Sequence, residues 1–395
     1  MMLLLLFVAP LVLLWLPVLS EGIALLTTRP PRHHPGIGGS QPRMVVLVPA
    51  HNEELHIRDC VRSLVQVDYP KADWEVIVVA DNCVDMTAKL AMSEGAKCLE
   101  RHDPQHPGKP QALVWAMAQL RLREFDAVVI IDADTVVPPD YALALAIYSP
   151  LRDVVLQSNF LVANEQENWL TRLGGVLSRC RYQVTYPLKQ RAGLNCPLTG
   201  NGMCIGTGVL QSEGWQAFGI TEDSELYAQF TAAGVPILHA DRANLYSQEA
   251  SSLAQGATQR RRWLAGRIGV LRQWGGIVLK SNQITWHQKL DLLVELGLSS
   301  PILHLAAAVT VAIAALATLP QPINAWIAAA ALSSLVGLII ATVYVLWHHP
   351  EPGPTLRAFL KLPLYVMWRI LLFMRTILTL GQTRWERTRR AAHTR

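Results

Sequence analysis

The chain has 395 residues, 51% of them hydrophobic and only 16% charged, a balance too lean in charge for an ordinary soluble domain and suited to a mixed soluble and membrane protein. Its formal net charge is +5, and the basic residues gather beside apolar segments and in the tail, so anionic lipid headgroups account for them and nucleic acid is excluded as a partner. Cys60, Cys83, Cys98, Cys180, Cys196 and Cys204 form no C-x-x-C pair and no metal-like Cys/His spacing, which excludes a disulfide framework and fits reduced thiols in a cytosolic domain.

Residues 1–20 carry no charge, and about 20 apolar residues are what a helix needs to cross about 30 Å of hydrocarbon. A retained transmembrane helix is expected. A cleaved signal peptide is the rival, but the positive start such a peptide uses is missing. Residues 21–42, with Arg29, Arg32, His33 and His34 among prolines and glycines, read as a juxtamembrane linker on the cytoplasmic side.

From 43 to 265 short apolar runs alternate with helical patterns. Residues 44–48, 74–80 and 127–131 read as buried parallel strands, and 56–66, 85–94, 110–123 and 140–151 as helices. This is the β-α-β rhythm of a doubly wound sheet, whose ligands bind beyond the carboxyl ends of the strands. Polar clusters occupy those ends: Pro49-Ala50-His51-Asn52-Glu53-Glu54, Asp81-Asn82 and Asp132-Ala133-Asp134. No G-x-x-x-x-G-K or G-x-G-x-x-G turn follows the first strand, so side chains and a metal would have to hold a nucleotide. Asp132 and Asp134 are two apart, and in an extended segment such residues point the same way, onto one hard cation able to bridge two phosphates. Taken alone, the pair reads first as a polar strand end with a helix cap.

Further on stand the loop Thr199-Gly200-Asn201-Gly202-Met203-Cys204, then Thr221-Glu222-Asp223 leading into a helical pattern, then Gln259-Arg260-Arg261-Arg262-Trp263. Glu222 and Asp223 alone could simply stabilise a helix start. His102 and His106, set among Pro104, Pro107 and Gly108, read as loop residues. Residues 266–300 are expected to hold interfacial helices, although 286–298, with Lys289, Asp291 and Glu295 among leucines, reads equally as a solvated domain helix. Residues 301–347 form two uncharged runs parted by Pro320-Gln321-Pro322, a transmembrane hairpin. In 348–395, Arg357, Lys361, Arg369 and Arg375 fall within about 120° on a helical wheel, which suits an amphipathic interfacial helix before a basic cytoplasmic tail; a fourth span is the alternative.

The ordered set P-x-x-N-E-E, Asp81, Gly108-Lys109, D-x-D, T-E-D and Q-x-x-R-W resembles the family 2 glycosyltransferases of the cellulose synthase, hyaluronan synthase and chitin-oligosaccharide synthase type, over residues 44–263. The resemblance implies an α/β GT-A (Rossmann-like) domain, cytoplasmic, with transmembrane and interfacial helices in the cell (inner) membrane. It implies a UDP-sugar donor and a divalent cation, Mg or Mn. Ala50, Glu53 and Asp81 would contact uracil and ribose, Lys109 a phosphate or the base edge, and Asp134 with Asp132 the metal-diphosphate. Asp223 would be the base that takes the acceptor proton in an inverting transfer. Gln259, Arg262 and Trp263 share a helix face, so that Arg262 could fork onto the diphosphate while Trp263 packs on the acceptor sugar or anchors at the interface. Arg260 and Arg261 are expected to meet lipid phosphates or solvent. In the loop 199–204 the cysteine follows the glycines, where the cellulose synthase group has it before them, which leaves the acceptor undefined. The leading expectation is synthesis of a β-linked polysaccharide. The alternative is single-sugar transfer to a membrane lipid or lipid-diphosphate. The acceptor is thus a glycan or lipid, membrane lipids are partners, and the few spans leave room for an oligomer or partner subunit. A transporter or scaffold would not need these motifs together, and its spans would carry ionisable residues.

Overall fold

A computed structural model describes residues 2–29 and 41–379. Seven strands run through the region between the apolar segments: β1 (Met44–Ala50), β2 (Trp74–Asp81), β3 (Lys97–Arg101), β4 (Ala127–Ile130), β5 (Val155–Val162), β6 (Met203–Gly206) and β7 (Ile237–Ser247). They form one sheet in the order β3-β2-β1-β4-β6-β5-β7. β1 pairs in parallel with β2 and β4, β2 with β3, and β5 with β7, whereas β6 is antiparallel to both neighbours. The expected strands are therefore β1, β2 and β4, mutually parallel as expected, and β6 makes the sheet a mixed one. Alternation along β1 explains its double burial. Met44, Val46 and Val48 pack with helices Ile57–Val65 and Tyr141–Ala146, while Val45 and Leu47 pack with helices Lys109–Gln119 and Glu222–Ala232. The helix expected at 140–151 is only Tyr141–Ala146, stopping short of Pro150.

Three helical segments, Leu6–Thr27, Pro301–Thr318 and Ile323–Trp347, are long and apolar enough to cross a membrane. They pack on one another through Leu14, Leu335 and the alanines Ala308, Ala312, Ala328 and Ala331, whose small side chains let helix backbones approach closely. The first helix runs to Thr27, so part of the expected linker is helical; Arg32, His33, His34 and the basic tail at 384–395 lie outside the described residues.

The boundary expected at 265/266 falls inside one continuous helix, Leu253–Lys280, which carries the Q-x-x-R-W segment toward the membrane helices. Helix Trp286–Leu298 turns its acids inward. Lys189 Nζ meets Asp291 Oδ2 and Glu295 Oε2, each at 3.0 Å, and Ser20 of the first helix donates to Asp291 at 3.1 Å. That helix therefore joins the sheet domain to the N-terminal span. In helix Leu362–Leu378 and the turns before it, Arg357, Lys361 and Arg375 are exposed, while Arg369 reaches back to Ser300 at 3.0 Å.

Candidate active site

The polar groups after β1, β2 and β4 meet along one sheet edge. Asn52 and Asn82 follow β1 and β2 with φ of 55° and 52°, the left-handed region that asparagine tolerates better than most residues. Each pins a loop: Asn52 Oδ1 accepts from Val84 N at 2.8 Å, and Asn82 Oδ1 accepts from Asp103 N at 2.8 Å. Asp81, at the end of β2, is buried in an ion pair with Arg101 of β3 at 2.6 Å and accepts from Gly108 N at 3.2 Å. Arg101 also holds Asp103 at 2.8 Å and the His106 carbonyl at 2.9 Å, so one buried guanidinium sets both Asp81 and the loop before Lys109. Ala50 ends β1, its carbonyl accepting from the Cys83 thiol at 3.4 Å. Glu53 donates its backbone N–H to Thr87 at 2.8 Å.

Lys109 opens its helix and is the hub of the site. Its ammonium contacts Asp132 Oδ1 at 2.6 Å, the Gly200 carbonyl at 2.6 Å and Glu222 Oε1 at 3.4 Å. Gly200 has φ of 82°, and a Cβ built there would lie 3.3 Å from Asp223 Oδ2 and 3.6 Å from Lys109 Nζ, so the turn passes between the two groups. Asn201, next along, accepts from Asp132 N at 3.1 Å and donates to Thr135 at 2.8 Å. The loop 199–204, whose role was open in the sequence, thus draws the D-x-D and T-E-D segments together. Asp134 lies toward β7, 3.3 Å from Ser247 Oγ.

Burial raises the Asp223 carboxyl above the ordinary range, opposed by the Ser224 N–H, Arg267 and Lys109. Burial also pushes Glu222 up to about 7, with Lys109 opposing and Asp223 adding to the rise. Lys109 is raised despite its burial, by Asp132 and Glu222. Thr221 makes no side-chain capping bond, so the T-E-D turn is not arranged as a hydroxyl cap for its helix.

The Q-x-x-R-W residues approach from another side. Gly266 of that helix abuts Thr221 so closely that a Cβ would fall 2.4 Å from Thr221 Cγ2 and Oγ1. Arg262 Nε is buried without a hydrogen-bond partner, Trp263 is 37% exposed, and Gln259 is half-buried. Among the described residues none of the three makes a polar contact with Lys109, Asp132 or Asp223. Arg260 corrects the expectation that it faces lipid or solvent: it pairs with Glu249 at 2.8 Å and lies over the Trp368 ring at 5.7 Å.

Among the described residues no group of three or more His, Cys, Asp or Glu is placed to hold a metal. Asp132 and Asp134 supply two hard oxygen donors, and a magnesium-like ion needs only one or two carboxylates when phosphates complete its shell. The donor set therefore fits a cation that arrives with a diphosphate. Arg101, Ser247 and Gly266 stand outside the motifs, while Asn201 lies in the loop 199–204. An arginine facing Asp81 across adjacent strands has no signal in spacing, whereas Gly266, three residues beyond Trp263, could have been noticed on the same helix face.

The profile described as "Glycosyltransferase like family 2" matches residues 42–266, more than half of the chain. The chain belongs to this family. A beta-monoglucosyldiacylglycerol synthase of Nostoc is 29% identical over 215 residues, which are 52% of this chain and 45% of that protein. Glucomannan 4-beta-mannosyltransferase 7 of Arabidopsis thaliana is 22% identical over 263 residues, 63% of this chain and 47% of that protein. The chain spans about half the length of the curated relatives it matches. The mannosyltransferase PcManGT of Pyrobaculum calidifontis, solved in complex with GDP-Man and Mn2+, shares the fold with a TM-score of 0.57 at 19% identity, covering 89% of this chain and 98% of its own.

Proposed function

We propose that this family 2 member is a membrane-embedded inverting glycosyltransferase that transfers one sugar from a nucleotide sugar to a hydroxyl of a membrane lipid. One observation carries the chemistry: the Gly200 turn packs Lys109 and Asp132 against Glu222 and Asp223, so a diphosphate-binding side and a proton-accepting side adjoin. The acceptor oxygen bonds to the anomeric carbon as the bond to the diphosphate breaks, and Asp223 takes the hydroxyl proton. Asp81 and the Ala50 and Glu53 loop hold the nucleoside, a uridine in this reading. Lys109 exchanges Asp132 for a phosphate oxygen as the donor enters. Asp132 and Asp134 would hold a divalent cation, Mg or Mn, which would supply charge neutralisation to the departing diphosphate. Arg262, with a buried Nε lacking a partner, is the group to fork onto that diphosphate, beside Gln259, and Trp263 offers a ring face to the sugar.

The lipid acceptor is supported by the spans. Their contact is filled by Leu14 and alanines, which favours closed packing over a polymer channel, and the Nostoc relative is by name a lipid glucosyl synthase. Extension of a β-linked polysaccharide, the function of the cellulose synthase type, is the second reading, supported by similarity to the glucomannan mannosyltransferase. The catalytic region would sit on the cytoplasmic face of the cell membrane.

Purified protein in nanodiscs, given UDP- and GDP-sugars, tests this by product mass. One sugar per lipid is expected, and a ladder of long glycans would overturn single addition. Asp223→Asn should lower transfer by roughly 10²- to 10⁴-fold while nucleotide binding persists; substantial residual transfer removes Asp223 from the base role. Asp134→Ala should abolish metal-dependent nucleotide binding, and unchanged binding sinks the metal assignment.

A further inference from the structure

Beyond Gly266 the helix Leu253–Lys280 reaches the corner where helix Trp286–Leu298 gives way to the span Pro301–Thr318. Two arginines from different elements converge there on adjacent serines. Arg267 donates Nη1 to Ser299 Oγ at 2.7 Å, and Arg369 donates Nη2 to Ser300 Oγ at 3.0 Å. Among the described residues neither has a carboxylate at ion-pair distance. Of the neighbouring acids, Glu249 pairs with Arg260 at 2.8 Å and Glu295 with Lys189 at 3.0 Å, while Asp223 acts on Arg267 from beyond ion-pair distance. Burial lowers both guanidinium pKa values, with Arg181 adding to it at Arg267 while Glu295 and Asp223 oppose it, and with Arg260 and Arg267 adding to it at Arg369 while Tyr365 and Glu249 oppose it. An arginine does not lose its proton in a protein, so both guanidinium groups stay charged, each bonded at this corner to a serine hydroxyl. Two neutral hydroxyls supply no anion.

We propose that Arg267 and Arg369 bind the phosphate of a net-anionic lipid headgroup, and that this lipid is the acceptor. This rests on the lipid-acceptor reading above and narrows it. The guanidinium fork matches phosphate oxygens, and Ser299 and Ser300 add two hydroxyl donors. The membrane is the source because Ser300 immediately precedes a span, and because Tyr365 and Trp368, whose ring centroids lie 5.6 Å apart, sit on the helix that brings Arg369. The position relative to the base is set by the neighbouring residue: Gly266 touches Thr221 of the T-E-D turn, and Arg267 lies within electrostatic reach of Asp223. A headgroup hydroxyl beside the bound phosphate then faces Asp223. No bond to phosphorus changes.

The test is native mass spectrometry of the full-length protein offered equimolar phosphatidylglycerol and phosphatidylcholine. The wild type is expected to retain phosphatidylglycerol by about 10-fold over phosphatidylcholine, the worth of a charge-assisted hydrogen bond or more. Arg267→Gln/Arg369→Gln should lose that preference and raise KM for a phosphatidylglycerol acceptor at least about 10-fold. Arg357→Gln, exposed on a neighbouring turn, should keep it. Equal retention of the two lipids by the wild type overturns the site without recourse to any variant. Displacement of phosphatidylglycerol by inorganic phosphate at equal concentration would assign the site to a free anion, and equal use of diacylglycerol as acceptor would end the acceptor assignment. Retention needs no turnover, so a failure of all sugar transfer strikes the proposed function and leaves this readout standing.

Discussion

Lys109 bridges two acids that would otherwise repel, Asp132 on the proposed diphosphate side and Glu222 beside the proposed base Asp223. The consequence reaches protonation. Glu222 is raised to about 7 from an ordinary 4.5, first by burial and then by Asp223, with Lys109 opposing. A carboxyl raised on folding contributes stability that is whole below about 4.5 and lost as the pH rises through about 7. Glu222→Gln should therefore melt higher than the wild type above pH 7 by a few degrees and match it near pH 4. The same change removes a negative neighbour of Asp223, so the acid limb of the transfer rate should move to lower pH. Thermal melts and pH-rate profiles of the two proteins check both, and parallel curves would remove Glu222 from the electrostatics of the site.

At the scale of elements, the helix Leu253–Lys280 meets the T-E-D turn through a glycine. Gly266→Ala would set a methyl 2.4 Å from Thr221 and push the helix or the turn aside. Because a displacement of about 1 Å can cost 10²-fold in rate, transfer should fall roughly 10- to 100-fold with nucleotide affinity nearly unchanged. Gly269→Ala on the same helix, with nothing within 4 Å, should leave the rate alone, and Thr221→Ala in the Gly266→Ala background should recover part of the loss. The acidic motifs were legible because they follow a strand or open a helix: Asp81 closes β2, Asp132 follows β4, and Glu222 opens its helix. β3, β5, β6 and β7 were not read; in β6, Met203–Gly206, four residues leave no period long enough to recognise.

For the molecule as a whole, the sheet domain and the membrane helices share a buried ionic junction. Glu295 is held down to about 2 against its own burial by Lys189, Arg181 and Arg267, so its contribution is present above its ordinary 4.5 and fades as pH falls through about 2. Lys189→Met leaves Asp291 and Glu295 buried without their cation, a change that typically costs about 3–5 kcal/mol. Melting of the detergent-purified variant should drop by several degrees, with loosening of the contact between Ser20 and Asp291 seen by hydrogen exchange around Ser20. An unchanged melting curve would show that the junction is not what couples the two parts. By itself the sequence determined the three apolar spans, the strand ends that carry the acids, and the order of motifs that fits one family, because hydrophobic runs and local spacing act within a few residues. Only the tertiary structure decided that Lys109 bridges Asp132 and Glu222, that Arg101 neutralises Asp81, that Asp291 and Glu295 turn inward, and that Arg267 and Arg369 meet at one corner. Those pairings join residues from 20 to more than 100 positions apart, and only packing of the whole chain selects them.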